Sequence, residues 1–209
     1  IESCCPFIKN AWDLSALDTD VVLTAIRIAT YGNKLNVSKK CESCGSDNEY
    51  ELDLNAIIDH YSTCVFDNTL VLKEMTVKIR PLSYKQSTDF SLRNFKIQQQ
   101  LKQIVNVEDE TEKSNTIAEL FKELGILQNE IYTEAVESVQ TNDFTVDEKM
   151  YIREWLENSD KSIIEAIKSH IQKNQDAWAT PKYDVKCDNC DAESHILVDL
   201  DLSTFFVKA

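Results

Sequence analysis

One short arrangement occurs twice in the chain: CESCGSDNEYELDL at residues 41–54 and CDNCDAESHILVDL at residues 187–200. Adding 146 to the first copy brings Cys41 and Cys44 onto Cys187 and Cys190, Asp53 and Leu54 onto Asp199 and Leu200, and Val37 onto Tyr183. Around each CxxC, β-branched or aromatic residues alternate with polar ones: KLNVSKK and EYELDL flank the first pair, PKYDVK and SHILVDL the second. Period-two alternation on both sides of a polar turn predicts a strand, a CxxC turn and a second strand. Two thiolates two residues apart on such a turn can both reach one ion at about 2.3 Å, and a structural zinc takes four such ligands in a tetrahedron. Each copy therefore supplies half a site. The pair predicts one Cys4 zinc ribbon split across the chain, with Cys41, Cys44, Cys187 and Cys190 as ligands of a single ion. The competing reading leaves one or both hairpins metal-free.

Seven cysteines, at positions 4, 5, 41, 44, 64, 187 and 190, could also suggest a disulfide scaffold. An odd count in a chain this long argues against one, because disulfide frameworks belong to small secreted domains that lack a sufficient core. A thioredoxin-like redox motif would open a helix, whereas both CxxC pairs lead into strands. A catalytic zinc keeps one position open for water, and four thiolates leave none. His60, His170 and His195 could each substitute as a ligand, although the four cysteines suffice. Cys4, Cys5 and Cys64 are left over, and Cys4 and Cys5 read as buried small apolar groups.

Composition narrows the function classes. Lys and Arg number 22 against 36 Asp and Glu, a net charge of −14. A surface with that balance repels phosphate backbones, so nucleic acid is not the expected partner. No apolar run approaches the roughly 20 residues of a bilayer span, and the opening IESCCPFIKN lacks a basic region followed by an apolar one. A soluble, intracellular chain is expected. Its start at Ile1 suggests a preceding segment. Three glycines form no phosphate loop or dinucleotide fingerprint, and no Ser, His and Asp grouping has a nucleophile signature. No enzymatic activity, catalytic residue or organic cofactor site is expected.

Elsewhere the pattern is mostly helical. Val21, Ala25 and Ile28, with Val22, Ile26 and Ala29, predict a well-buried helix that Asp18 or Asp20 caps and Gly32 closes. Arg27 lies within it, as one half of a buried ion pair or as an anchor for a partner. Residues 70–73 and 75–80 are β-prone and end at Pro81. Ser83 and Gln86 have capping-box spacing, but Phe90, Ile97, Leu101 and Ile104 place the helix itself from near Thr88 to about Val105. The acidic positions 108, 109, 110 and 112 form a solvated link or a first helical turn. Ile117 to Val139, interrupted by Gly125, predict a helix that is either long or kinked. Thr145 and Glu148 form a second capping box for a helix carrying Val146, Met150 and Trp155, and Ile163, Ile164, Ile167 and Ile171 a final one.

Together these predict an α+β chain, mainly α, with a bundle of about four antiparallel helices inserted between the two zinc-knuckle hairpins. The expected domains are 1–68 (helix and first knuckle), 69–82 (short hairpin), 83–178 (bundle) and 179–209 (second knuckle), the last packing with 33–58 as one ribbon.

The string DTDVVLTAIRIATYG, followed by a strand and CESCGSDNEYELDL, resembles the baseplate hub subunits and hub assembly proteins of T-even-type tailed phages. The matching positions are Asp20, Arg27, Ile28, Tyr31, Gly32, Cys41, Cys44, Gly45, Asp53 and Leu54. The closing VDLDLSTFF, with Phe205 and Phe206, is similar to the ends of such chains. The likeness is close over residues 17–58 and loose over 187–206. Glu42 stands where the family pattern has proline, and Asp191 where it has glycine. The resemblance implies a non-catalytic structural or assembly role in the virion baseplate, or in the host cytoplasm during assembly, with other tail proteins as partners. The alternative from the zinc ribbon alone is an acidic regulator bound to transcription or replication machinery.

Overall fold

The computed structural model describes residues 1–104 and 109–198. Val105, Glu108, Asp199, Leu200, Phe205 and Phe206, to which the sequence assigns a helix end, an acidic link and a closing strand, lie outside the described residues. Helices and strands are mixed, and about half of the chain is helical. The elements divide into two compact units. The first holds residues 1–11, 17–65 and the chain from Asp176 onward, and the second holds residues 12–16 and 66–175.

In the first unit, helix α1 (Ala16–Tyr31) leads into strands β1 (Lys34–Lys40) and β2 (Asp47–Asp53), then helix α2 (Asn55–Thr63). After Asp176 come β7 (Lys182–Lys186) and β8 (Glu193–Leu197). Gly32 ends α1 as its position predicts: its φ is +88°, in the left-handed region glycine enters without penalty, and its N–H donates to the Ile28 carbonyl at 2.9 Å. The start of α1 differs from expectation. The helix begins at Ala16, so Asp18 lies within its first turn and neither Asp18 nor Asp20 sits at the cap position. Its fully buried positions are Thr19, Leu23, Thr24 and Arg27, whereas Ala25 and Ala29 are exposed. Leu52, Leu54, Ile57, Tyr61, Ile196 and Val198 form the core of this unit, with side chains of α1 and of both hairpins against it.

Both hairpins have one register. Val37 opposes Tyr50 and Ser38 opposes Glu49 in the first; Tyr183 opposes Ile196 and Asp184 opposes His195 in the second. Each second-copy pair is the first-copy pair plus 146 at both positions. The alternation seen in the sequence becomes an inward row of Leu35, Val37, Tyr50 and Leu52, repeated by Tyr183, Val185 and Ile196, all packed in that core.

The second unit contains a four-stranded antiparallel sheet of order β3 (Thr69–Leu72), β4 (Met75–Ile79), β5 (Val136–Gln140), β6 (Thr145–Val146). Its helices are α3 (Tyr84–Gln103), α4 (Glu110–Ala135), α5 (Lys149–Glu157) and α6 (Lys161–Ala177), the last turn of α6 passing into the first unit. Val77, Ile79, Val136, Val139, Ile152, Leu156 and Ile167 make its core, and Ile97, Leu120 and Leu127 a smaller one between α3 and α4. Among the described residues, no helix is long and apolar enough to cross a membrane.

Three expectations change here. Ser83 and Gln86 do form a capping box, with both reciprocal hydrogen bonds, but the helix starts at once with Tyr84 instead of near Thr88. The long helix runs through Gly125 without interruption and stops at Ala135, and Val136–Gln140 is a strand. Val136 and Val139 satisfy helix spacing equally well, and β4 wins because both valines then enter the sheet core. Thr145 lies in strand β6, and the helix that follows has Glu148 at its cap without a side-chain hydrogen bond, so the second capping box does not form. The bundle is thus divided by strands that complete the 69–82 hairpin into a sheet.

The end of α4 shows why a helix can stop there without a glycine. Its last four carbonyls need partners. The Val136 N–H donates to Tyr132, Arg80 N–H to Ala135, and the Lys149 ammonium to Thr133 at 2.8 Å and Glu134 at 3.0 Å, as well as to Val136 at 2.6 Å.

Candidate metal centre

The two CxxC turns meet at their tips. Cys41, Cys44, Cys187 and Cys190 present four sulfur atoms that all lie within 4.8 Å of one another. The Cys41 and Cys190 sulfurs are 3.8 Å apart, and those of Cys44 and Cys187 are 3.7 Å apart. A tetrahedron of thiolates at about 2.3 Å from a central ion has edges of about 3.8 Å. All four cysteines are free, and the separations are far longer than a disulfide of about 2.05 Å. The donor set and its spacing fit a metal ion. Cys187 is buried, Cys41 is half-buried, and Cys44 and Cys190 face solvent.

Each turn is built the same way. The Cys41 N–H donates to the Ser46 carbonyl at 2.8 Å and Gly45 N–H to the Cys41 carbonyl at 2.9 Å. In the second copy, Cys187 N–H donates to Ala192 at 3.0 Å and Asp191 N–H to Cys187 at 2.9 Å. Gly45 has φ +74° and Asp191 φ +55°. The missing glycine is therefore replaced by a residue forced into the same left-handed conformation, which aspartate tolerates better than most.

Side chains beyond the four cysteines connect the two hairpins. The Ser46 hydroxyl lies 3.1 Å from the Cys44 sulfur and 3.3 Å from the Cys187 sulfur. Asn48 is buried; its amide nitrogen donates to the Ser46 carbonyl at 3.1 Å, and its oxygen accepts from the Asp188 N–H at 3.0 Å. The Lys39 ammonium donates to the His195 carbonyl at 2.9 Å, and the Tyr183 hydroxyl to the Asp53 carbonyl at 2.8 Å. The available signal was asymmetry between the copies: Ser46 and Asn48 fall on Ala192 and Ser194 under the 146 offset.

Four thiols this close cannot all ionise without a cation. Hydrogen bonds from Ser46 and from the Asn189 side chain pull the Cys44 thiol down to about 5. Ser46 and the Asn189 backbone N–H likewise lower Cys187. At Cys190 a backbone hydrogen bond from Ala192 favours the thiolate, but the adjoining Cys44, burial, Cys187 and Cys41 outweigh it and push the thiol up to about 12. A divalent cation among the sulfurs reverses this competition, because its charge favours the thiolate at all four positions.

The histidines stand apart from this cluster. His60 Nε2 lies 3.6 Å from the Cys64 sulfur, His170 Nε2 lies 2.7 Å from the Asp67 carbonyl, and His195 Nδ1 lies 2.6 Å from the Asp184 carboxylate. Cys64 is half-buried and directs its thiol at the Ala177 carbonyl, 3.1 Å away. Cys4 is exposed and Cys5 half-buried, which corrects the expectation that both are buried: their segment is a turn without core positions. Arg27 is buried; its guanidinium lies 4.7 Å over the Tyr31 ring and donates to the Gly32 carbonyl at 3.4 Å.

Residues 1–207 match the family model described as T4 bacteriophage base plate protein. The chain belongs to this family and is a phage baseplate protein. Its family setting is the virion tail, among other phage structural proteins. No curated protein and no solved structure matches the chain.

Proposed function

We propose that the chain is a structural subunit or assembly factor of the baseplate hub, stabilised by one zinc ion and working through contacts with other tail proteins instead of catalysis. The observation that carries this reading is the four-sulfur cluster in a baseplate-family chain, which joins two hairpins from opposite ends of the sequence. In this reading β1–β2 and β7–β8 are two halves of one zinc ribbon, and the ion fixes the surface that the first unit offers to its neighbours. Four thiolates saturate a tetrahedral ion and leave no position for water or substrate, which favours a structural role over a catalytic one. A net charge of −14 disfavours direct DNA contact.

Co-purification from infected cells tests the reading. A tagged copy is expected to bring down tail-hub proteins, either in finished particles or in assembly intermediates in the host cytoplasm. A Cys187→Ser variant is expected to lose them together with its metal. Recovery of polymerase subunits or DNA without any tail protein would contradict it.

A further inference from the structure

Helix α3 buries one side and leaves the other in water. Ile97 packs with Leu120 and Leu127 of α4, and Phe90 and Leu101 lie against that contact. At 3.6 residues per turn, the row Tyr84, Thr88, Leu92, Phe95, Gln99 and Lys102 runs along the opposite side for about 27 Å. Leu92 is 55% exposed and Phe95 58%. At the start of the row the Tyr84 ring stacks on that of the exposed Trp12, with centroids 5.4 Å apart.

The charge of α3 is opposite to that of the chain. Lys85, Arg93, Lys96 and Lys102 face Asp89 alone in this helix, whereas the whole sequence has 36 acidic residues to 22 basic ones. Arg93 pairs with Glu130 of α4. Lys85 and Lys96 flank the apolar row and Lys102 ends it; all three are exposed, and among the described residues none of them forms an ion pair. Spacings of four and three along a helix make a seam that a second helix can follow. Such a helix must be apolar opposite Leu92 and Phe95 and acidic opposite the lysines. The −14 of the chain does not prevent this, because charges more than about 8 Å away are largely screened at physiological ionic strength and the local sign governs the contact. Other occupants fit less well. A phosphate backbone uses the lysines but leaves Leu92 and Phe95 in water, a lipid surface requires a broader apolar face, and the α3 of a second copy sets lysine against lysine.

We propose that the outward face of α3 docks an acidic amphipathic helix of another tail protein, an inference that rests on the reading of the chain as a subunit or assembly factor working through tail-protein contacts. Site-specific photo-crosslinking tests it, with p-benzoylphenylalanine in place of the exposed Gln99 in the tagged full chain during infection. The expected product is a peptide from another tail protein, richer in Asp and Glu than in Lys and Arg and with apolar residues at helical spacing. Leu92→Ala with Phe95→Ala, and separately Lys85→Glu with Lys96→Glu and Lys102→Glu, are each expected to cut its yield at least tenfold while helical circular dichroism is retained. A crosslink to a second copy, to nucleic acid, to lipid or to a segment without acidic excess would overturn the proposal, as would yields that the variants leave unchanged. Tail proteins that co-purify without any crosslink at Gln99 would overturn it and leave the reading beneath it standing. If no tail protein is recovered at all, both fall.

Discussion

Cys44 and Cys187 are 143 residues apart in the chain, and their sulfurs are 3.7 Å apart. Closing a loop of that length costs conformational entropy that grows only with the logarithm of its size, so a link at its ends removes several kcal/mol of disorder from the unfolded chain. The matching registers of the two hairpins keep the four sulfurs together, since a one-residue slip in either would turn its cysteines away and expose its inward row.

The turn at Asp191 is the weaker of the two. Asp191→Gly is expected to stabilise the fold by about 0.5–1 kcal/mol by removing the left-handed strain at φ +55°. Gly45→Ala, with space for its Cβ but the same backbone requirement, is expected to cost about 1–2 kcal/mol. Urea midpoints of the two variants check both signs. An unchanged midpoint for each would mean that the turns relax out of the left-handed region.

Asn48 bridges the hairpins through backbone partners at Ser46 and Asp188. Asn48→Ala removes both partly buried bonds, leaving the Asp188 N–H without this partner while the Ser46 carbonyl keeps the Cys41 N–H, and is expected to cost about 1–2 kcal/mol. It is also expected to speed the release of metal to a chelator. Wild-type release kinetics in this variant would show that the metal cluster does not depend on the bridge.

Lys149 holds three carbonyls at the junction of α4 and β5. Lys149→Met keeps much of the side-chain volume and removes all three bonds, with an expected loss of roughly 2–4 kcal/mol, about what stranding two or three partly buried carbonyls costs. Thermal unfolding measures it. A similar melting temperature would mean that water replaces the ammonium.

Acid sensitivity follows from Asp67. Its carboxyl is held below the ordinary value of 3.8 by the Thr69 backbone N–H first, and then by His170 and Lys173. The unfolded chain therefore takes up this proton before the folded one, and stability rises with pH across that window. The contribution is complete above about pH 4 and is lost as pH falls through the folded value. Asp20 has the opposite sign: burial raises it, so its ionisation opposes folding at neutral pH. In urea titrations from pH 3 to 7, Asp67→Asn is expected to flatten the acid limb, and Asp20→Asn to raise stability at neutral pH. The reverse pattern would contradict both assignments.

Residues with one local solution were legible in the sequence. The CxxC turns and Gly32 declare themselves because their turn geometry is set by near neighbours in the chain, and the Ser83–Gln86 spacing was visible although the apolar periodicity placed the helix start too late. The 146 offset carried the hairpin register, since an alternating strand with one buried face has only one acceptable pairing. Val136 and Val139 were misread because a spacing of three suits a helix and, where both sheet faces are covered or the strand is irregular, a strand as well; their assignment depends on β4, more than fifty residues away. Thr145 and Glu148 carry capping-box letters that the sheet overrides. Lys149 gives no local sign of its role, because a lysine at the start of a helix looks solvated until the end of another helix is placed beside it.

The metal content of the purified full chain, prepared under reducing conditions, tests the central claim most directly. Elemental analysis is expected to give about one zinc per chain, with an X-ray absorption spectrum of four sulfur neighbours at about 2.3 Å. Cys187→Ser is expected to lose the ion and the cooperative unfolding of the first unit with it. No metal, two ions per chain, or a zinc shell containing nitrogen or oxygen in place of the fourth sulfur would contradict a single site shared by Cys41, Cys44, Cys187 and Cys190.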